Sequence, residues 1–375
     1  MASKFRLLTK RLFIYANIVL IFFFLLACLS PYLNPRTWWF ISFLSLAFPF
    51  LLFFVLLFFI GWLIIKPKYA LLSTIALIIG FKSISVFIAF HQPKSFNYKK
   101  EAGTLRIVTW NVARFIELKK NNNKGSHARL QMMELIKQQN ADILCFQEFQ
   151  TSALTDYYNN IDFIQQQLNY PYYYFSFDED GAKQYYSSII FSRYPIVDTG
   201  KIRYPSPTLP EVLIHADIKV NDDTIRVFTT HLQSLQFKKS DYEKISEIER
   251  IEDSLLSNSR TIFSKLKRGF FYRSVQTRMV YQLLKVSPHP LVFCADMNDV
   301  PNSYTYFTIR DNLQDAFLKK GFGIGRTFTS LSPTLRIDYI LADDNFRIKQ
   351  FNRIVKNLSD HYMLVADLEL KGPNP

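Results

Sequence analysis

Residues 142–148 read DILCFQE and residues 291–299 read LVFCADMND. In each, an apolar run stops at a carboxylate with an amide beside it: Gln147–Glu148 in the first, Asp296 and Asn298 in the second. A short apolar run without alternation is the pattern of a strand covered on both faces. The same pattern recurs at Leu105–Thr109, Ser188–Ser192, Val212–Ile218, Thr224–Thr230, Ile337–Leu341 and Met363–Leu370. Between strands the spacing turns helical. Ala128–Gln139 places Leu130, Met133, Leu135 and Ile136 on one stripe, and Asp156–Gln167 carries Tyr157, Ile161 and Ile164, with Leu168 following. The pattern predicts a four-layer α/β sandwich, two packed mixed sheets flanked by helices.

Polar groups gather where the apolar strands stop. Asn111 follows Leu105–Trp110, His231 follows Thr224–Thr230, Asp338 sits inside RIDYIL, and Asp360–His361 precedes the last strand. Together with Glu148, Asp296 and Asn298 they point to a single rim, the place where α/β proteins put functional groups. Hard oxygen donors and neutral amides suit Mg²⁺, with Mn²⁺ as a substitute. No Cys/His spacing of a zinc site is present.

The segments TWN (Thr109–Asn111), DILCFQE, SSIIFSRYPI (Ser187–Ile196), TTHL (Thr229–Leu232), ADMND (Ala295–Asp299), RIDYIL (Arg336–Leu341) and SDHYMLV (Ser359–Val365) occur in that order. In this the chain resembles the endonuclease/exonuclease/phosphatase family over about residues 104–370. The resemblance implies Glu148 as the main metal ligand, with Asn111 beside it and Asp360 as a further contributor. It implies that Asp296 and Asn298 hold and activate the attacking water, with Asp296 as base. His361 would face the phosphate with Asp338 fixing its tautomer, and His231 would be either a phosphate contact or the acid for the leaving group. The reaction implied is in-line attack of water on a phosphate ester.

Each role has a structural rival. Asn111 could cap a turn, Asp338 could be a carboxylate bonded to backbone, and His231 could be a satisfied interior histidine. Asp299 reads as a turn residue and Arg193 as sheet support; Cys145 and Cys294 read as buried small hydrophobes. One departure stands out. Abasic-site endonucleases often carry an acid two positions after the strand-end Asn, where this chain has Ala113, followed by Arg114.

Working outward, the chain has 375 residues and a net charge of +14, but the charge is unevenly placed. Residues 1–101 carry eleven basic residues and one acid, Glu101, leaving about +4 for all that follows. That is thin for a nucleic-acid face, which needs several phosphate contacts. Apolar residues at 49% exclude disorder, and three cysteines exclude a disulfide scaffold. Three apolar runs, about 12–30, 38–65 and 69–90, each approach the roughly 20 residues needed to cross a bilayer. They predict a transmembrane region over 1–91, a linker over 92–103, and a catalytic domain over 104–371 with a helical insertion at 236–286. Basic residues before the first run and at Lys66 and Lys68, against only Arg36 between the first two, place the N-terminus in the cytoplasm. Three crossings then put the catalytic domain outside it. Lys82 is the costly residue in that scheme. The implied partners are the bilayer and a phosphate ester, either nucleic acid or a lipid head group. No obligate protein partner is implied. The Lys265–Arg273 cluster, with Phe270 and Phe271, is a further place where anionic lipid could be touched.

Overall fold

The computed structural model describes residues 2–92, 95–120, 127–179, 183–205, 212–235 and 255–372. The chain divides into two compact units, Met1–Phe87 with Leu235–Ser274 and Val300–Thr308, and Ile88–Ser234 with Val275–Asp299 and Ile309–Pro375.

In the first unit, Phe5–Tyr32 and Pro35–Ile65 are each long and apolar enough to cross a membrane. The third apolar run is not one straight helix. It forms Pro67–Ile79 and Phe81–Phe87, bent by 67° at Gly80. A Cβ at Gly80 would sit 2.6 Å from the Phe24 ring, so the glycine lets two helices approach closely at the bend. The Lys82 ammonium lies 5.2 Å from the centroid of the Tyr32 ring and 5.5 Å from that of Phe307, partners that soften the cost of its charge. The helix Leu255–Lys285 supplies the second half of the expected insertion. The acidic half, with Ile245, Ile248 and Ile251, lies outside the described residues. Phe263 and Phe270 pack on Phe43 at 4.4 and 5.3 Å, and Lys267 lies over Trp39. Phe270 and Arg273 are buried, so part of the basic cluster is engaged within the protein.

The second unit is the α/β sandwich. Its strands are β1 (Ala89–Phe90), β2 (Thr104–Asn111), β3 (Ile143–Ser152), β4 (Tyr172–Phe175), β5 (Gln184–Ser192), β6 (Ile196–Arg203) and β7 (Val212–Val220). They continue as β8 (Asp223–His231), β9 (Leu291–Asp296), β10 (Gln314–Asp315), β11 (Phe322–Gly323), β12 (Asp338–Ala342), β13 (Phe346–Ile354) and β14 (Met363–Leu370). One mixed sheet runs β13-β14-β2-β3-β5-β4 and the other β10-β12-β9-β8-β7-β6. β1 pairs with β11, so Ala89 and Phe90 leave the third apolar run for a strand. The edge strands β6 and β13 lack an apolar run because most of their residues are only half-buried or exposed, and sequence reading passes over them.

Side chains on a strand alternate between faces. In β2 and β3, Val108, Trp110, Leu144 and Phe146 pack outward on the helices Ala128–Gln139 and Asn160–Leu168, through Met132, Met133, Ile136, Ile161 and Ile164. Leu130 of the expected stripe is 50% exposed, and Met132 takes the buried place. The second helix starts at Asn160 because Asn159 caps it, accepting the Asp162 N–H. The opposite parity, Leu105, Ile107, Ile143 and Cys145, joins Val227, Val292, Cys294 and Ile340 from the other sheet in one core between the sheets. Burial pushes the Cys145 thiol well above its ordinary pKa, with Cys294 adding to the effect, so both behave as core atoms. Arg106, fully buried, ties the sheet to its surroundings. It meets Asp367 at 2.7 and 2.9 Å and donates to the carbonyls of Asn97, Tyr98 and Gln139.

Candidate active site

The inter-sheet core has a polar end, and strand parity dictates which residues form it. Asn111 continues the column Leu105–Ile107–Thr109, Gln147 continues Ile143–Cys145, and His231 continues Ile225–Val227–Thr229. Asp296 continues Val292–Cys294, and Asp338 precedes Ile340–Ala342. All five therefore point into the gap between the sheets. Register sets them side by side. Asn111 pairs with Gln147 across parallel β2–β3, while His231 and Asp338 both pair with Asp296 from either side.

Beneath the site, Gln147 joins the sheets. Its Nε2 donates to Thr109 Oγ1 at 3.0 Å and to Thr229 Oγ1 at 2.8 Å. The next residue breaks the pattern. β3 bulges between Phe146 and Phe149, and Glu148 takes φ +49°. One inserted residue re-aims the side chain at the strand's end, so Phe149 resumes the outer core while Glu148 is freed from both faces. Its carboxylate is 28% exposed, against none for Asp296.

Asn111 Nδ2 lies 3.1 Å from Glu148 Oε1 and 3.0 Å from Asp296 Oδ2, while its Oδ1 accepts the Ala113 N–H. Asn111 thus does both things that its sequence position suggested: it turns the chain and it faces the acids. Asp296 Oδ1 accepts the Asn298 N–H at 2.9 Å. Asn298, at φ +51°, turns its amide so that Nδ2 meets the Leu232 carbonyl at 2.9 Å and His231 Nε2 at 2.8 Å. In that orientation Nε2 is the acceptor and the His231 ring is neutral. His231 Nε2 also lies 3.5 Å from Asp296 Oδ2 and 3.8 Å from Glu148 Oε1.

His361 Nδ1 meets Asp338 at 2.9 and 3.1 Å, and its Nε2 lies 3.6 Å from Asp296 Oδ2. Burial drags the His361 pKa down. The charges of Asp338, Asp296 and Asp360 and the hydrogen bond from Asp338 overcome that and push it up to about 10. Burial lifts the Asp338 carboxyl, which His361 opposes, so the pair keeps its proton on the ring. Three groups that the motifs did not single out hold this histidine. Thr327 Oγ1 accepts the N–H groups of Ile337 and Asp338, Ser359 Oγ accepts the His361 N–H, and Trp110 Nε1 donates to the His361 carbonyl. The Phe328 ring lies tilted against the imidazole, its centroid 5.0 Å away. A buried Thr opposite RID is hard to find from sequence, because its partners are backbone groups.

Asp360 stands apart. It is exposed, and its carboxylate accepts from the neighbouring Ser359 hydroxyl. Desolvation raises its pKa, His361 opposes this, and the charge of Glu148 adds to it, which places it within electrostatic reach of the cleft. The Asp299 carbonyl accepts the Tyr339 hydroxyl. Arg193 bonds Asn140 and stacks on Tyr170.

Three carboxylates, Glu148, Asp296 and Asp338, thus gather with two histidines. Ligand atoms of Asp296, Asp338 and His361 lie within 4.8 Å of one another, but Asp338 and His361 satisfy each other. The acids left for a cation are Glu148 and Asp296, converging on one amide, with Asp360 beyond them. Hard oxygens in excess of positive charge fit a divalent ion.

Comparison with known proteins agrees with this geometry. The model of the endonuclease/exonuclease/phosphatase family matches residues 108–361, and a domain of unknown function (DUF8431) matches residues 10–87. No curated protein matches. Among solved structures, an endonuclease/exonuclease/phosphatase from Beutenbergia cavernae is 20% identical, with 72% of each chain covered and a TM-score of 0.51. The human Nocturnin catalytic domain with bound sulfate is 17% identical over 72% of this chain and 94% of its own, with a TM-score of 0.48. A mannosyl-6-phosphatase from Bacteroides thetaiotaomicron is 15% identical over 70% and 99%, with a TM-score of 0.45. At such identities the structural likeness is one of fold. The family match, which spans well over half of the chain and takes in the cleft from Asn111 to His361, goes further: this protein belongs to the endonuclease/exonuclease/phosphatase family, hydrolases that act on phosphate esters.

Proposed function

We propose that the chain is a membrane-anchored phosphodiesterase, dependent on Mg²⁺ and tolerant of Mn²⁺, that hydrolyses nucleic acid or a phospholipid head group. The observation that carries the reading is the convergence of Glu148, Asn111, Asp296, Asn298 and the Asp338–His361 pair at one end of the inter-sheet core. Glu148 and Asp360 would hold the ion, joined by Asn111 once its amide oxygen turns from the Ala113 N–H toward the acids; when bound, the ion polarises a phosphoryl oxygen and offsets charge on the leaving oxygen.

The chain's own residues do the rest. Asp296 Oδ2 takes a proton from the attacking water, while the Asn298 N–H fixes its other oxygen. His361, charged because Asp338 holds Nδ1–H, presents Nε2–H to the phosphate oxygens and stabilises charge that builds up there. Asn298 and His231 share a hydrogen bond beside Asp296, so together they orient the same face of the substrate. Water's oxygen bonds to phosphorus as the opposite ester P–O bond breaks, and the leaving oxygen takes a proton from solvent. Anchoring follows from the two apolar helices. The placing of basic residues supports a multi-pass arrangement with a cytoplasmic N-terminus and a catalytic domain outside the cytoplasm.

The test is a panel of plasmid DNA, RNA, sphingomyelin and phosphoinositides with Mg²⁺, comparing wild type with Asp296→Ala. A phosphorylated product from one substrate, lost in the variant, is expected. Release of inorganic phosphate would make it a phosphomonoesterase instead, and equal turnover by both proteins would overturn the assignment.

A further inference from the structure

Between the first turns of the helix Ala2–Leu29 and the last turns of Pro35–Ile65 lies a cavity of about 800 Å³. Its wall is aromatic, through Phe13, Phe54 and Phe58, and three cations, Arg6, Lys10 and Lys66, stand among its lining residues. No acid occurs in residues 1–100 to pair with them. Trp62 also lines the cavity and is only 6% exposed. The cavity is open at Gly61, where an added Cβ would meet nothing within 4 Å. Lys10 is poised over Tyr69, 5.1 Å from its ring centroid, and Tyr69 packs against Trp62.

We propose that this cavity is a binding site for one acidic phospholipid from the leaflet that surrounds these helix ends. An acyl chain lies along Phe13, Phe54 and Phe58, and the head-group phosphate meets Arg6, Lys10 and Lys66. Basic pockets between membrane helices recognise anionic head groups in this way. Charge complementarity selects the occupant: a zwitterionic lipid offers the same chains and ester but brings its own cation to a rim that already has three. The inference is independent of the catalytic reading.

The experiment is native mass spectrometry of the full chain in detergent, with phosphatidylglycerol, phosphatidylcholine or glycerol 3-phosphate added. One phosphatidylglycerol per chain should be retained, at least tenfold more tightly than phosphatidylcholine. With about fivefold in affinity per cation, the triple variant Arg6→Gln, Lys10→Gln, Lys66→Gln should weaken retention about 100-fold. Lys10→Arg with Lys66→Arg should keep it and controls for folding. Gly61→Leu should exclude the lipid with no change of charge. Equal retention of both lipids, unchanged binding by Gly61→Leu, or displacement by glycerol 3-phosphate at matched concentration would each overturn the proposal.

Discussion

Replacing Asp338 with Asn keeps the side chain's shape and removes one negative charge from beside His361. In the wild type, burial lowers the His361 pKa, but Asp338, Asp296 and Asp360 lift it from an ordinary 6.5 to about 10. Asp338 contributes both its charge and a hydrogen bond at 2.9 Å. A tenfold change in proton affinity is worth about 1.4 kcal/mol, so the elevation amounts to roughly 4–5 kcal/mol. Removing one partner of a buried ion pair outright costs about 3–5 kcal/mol. Asn can still accept from Nδ1–H, so about 2–3 kcal/mol is expected. The folded chain binds this proton more tightly than the unfolded chain does. Its stabilisation is therefore complete below about pH 6.5 and drains away as pH rises through about 10. In Asp338→Asn that loss should be smaller and complete at lower pH. Thermal unfolding of the full chain in detergent with a chelator, followed from about pH 6 to pH 10, reads the shift. Turnover of a generic phosphodiester at about pH 7 should fall by about 10²–10⁴. A variant that matches wild type in both measurements would refute the reasoning.

Glu148→Gln should weaken Mg²⁺ or Mn²⁺ binding by more than about tenfold, as loss of a charged ligand does, while leaving the fold intact because Glu148 is a partly exposed bulge residue. Calorimetric titration checks this, and unchanged affinity would move the ion elsewhere. Arg106→Met fills the volume of a buried side chain but takes the charge partner from Asp367 and the guanidinium donor from the Tyr98 and Gln139 carbonyls, while Gln350 still donates to Asp367 and to the Asn97 carbonyl. It should cost about 3–5 kcal/mol, seen as a lower unfolding temperature, whereas a cost below about 1 kcal/mol would show the network to be dispensable. A C-terminal tag on the full chain should be cleaved by protease added outside intact spheroplasts. Protection of the tag until the membrane is permeabilised would place the catalytic domain in the cytoplasm.

The parts of this molecule that were legible in its sequence share a physical cause. Central strands are covered on both faces, so LVFCAD and DILCF announce themselves by unbroken apolar runs. Once those runs are strands, alternation alone sorts Asn111, Gln147, His231, Asp296 and Asp338 onto the inter-sheet face, because each shares parity with core residues of its own strand. Edge strands β6 and β13 were illegible because half-solvated residues need no apolar pattern. The third apolar run hid its detail for a different reason: hydropathy counts residues and does not register that Gly80 permits a 67° bend or that Ala89–Phe90 finds a strand partner in Phe322–Gly323. Glu148 marks the boundary between the two kinds of knowledge. By strict alternation it would fall on the outer face with Phe146, away from Asp296. Only the inserted residue and its φ of +49° carry its carboxylate to within reach of Asn111. A motif can name the acid in advance, but the bulge that makes it a neighbour of Asp296 is a property of paired strands, and one sequence read alone does not contain the pairing.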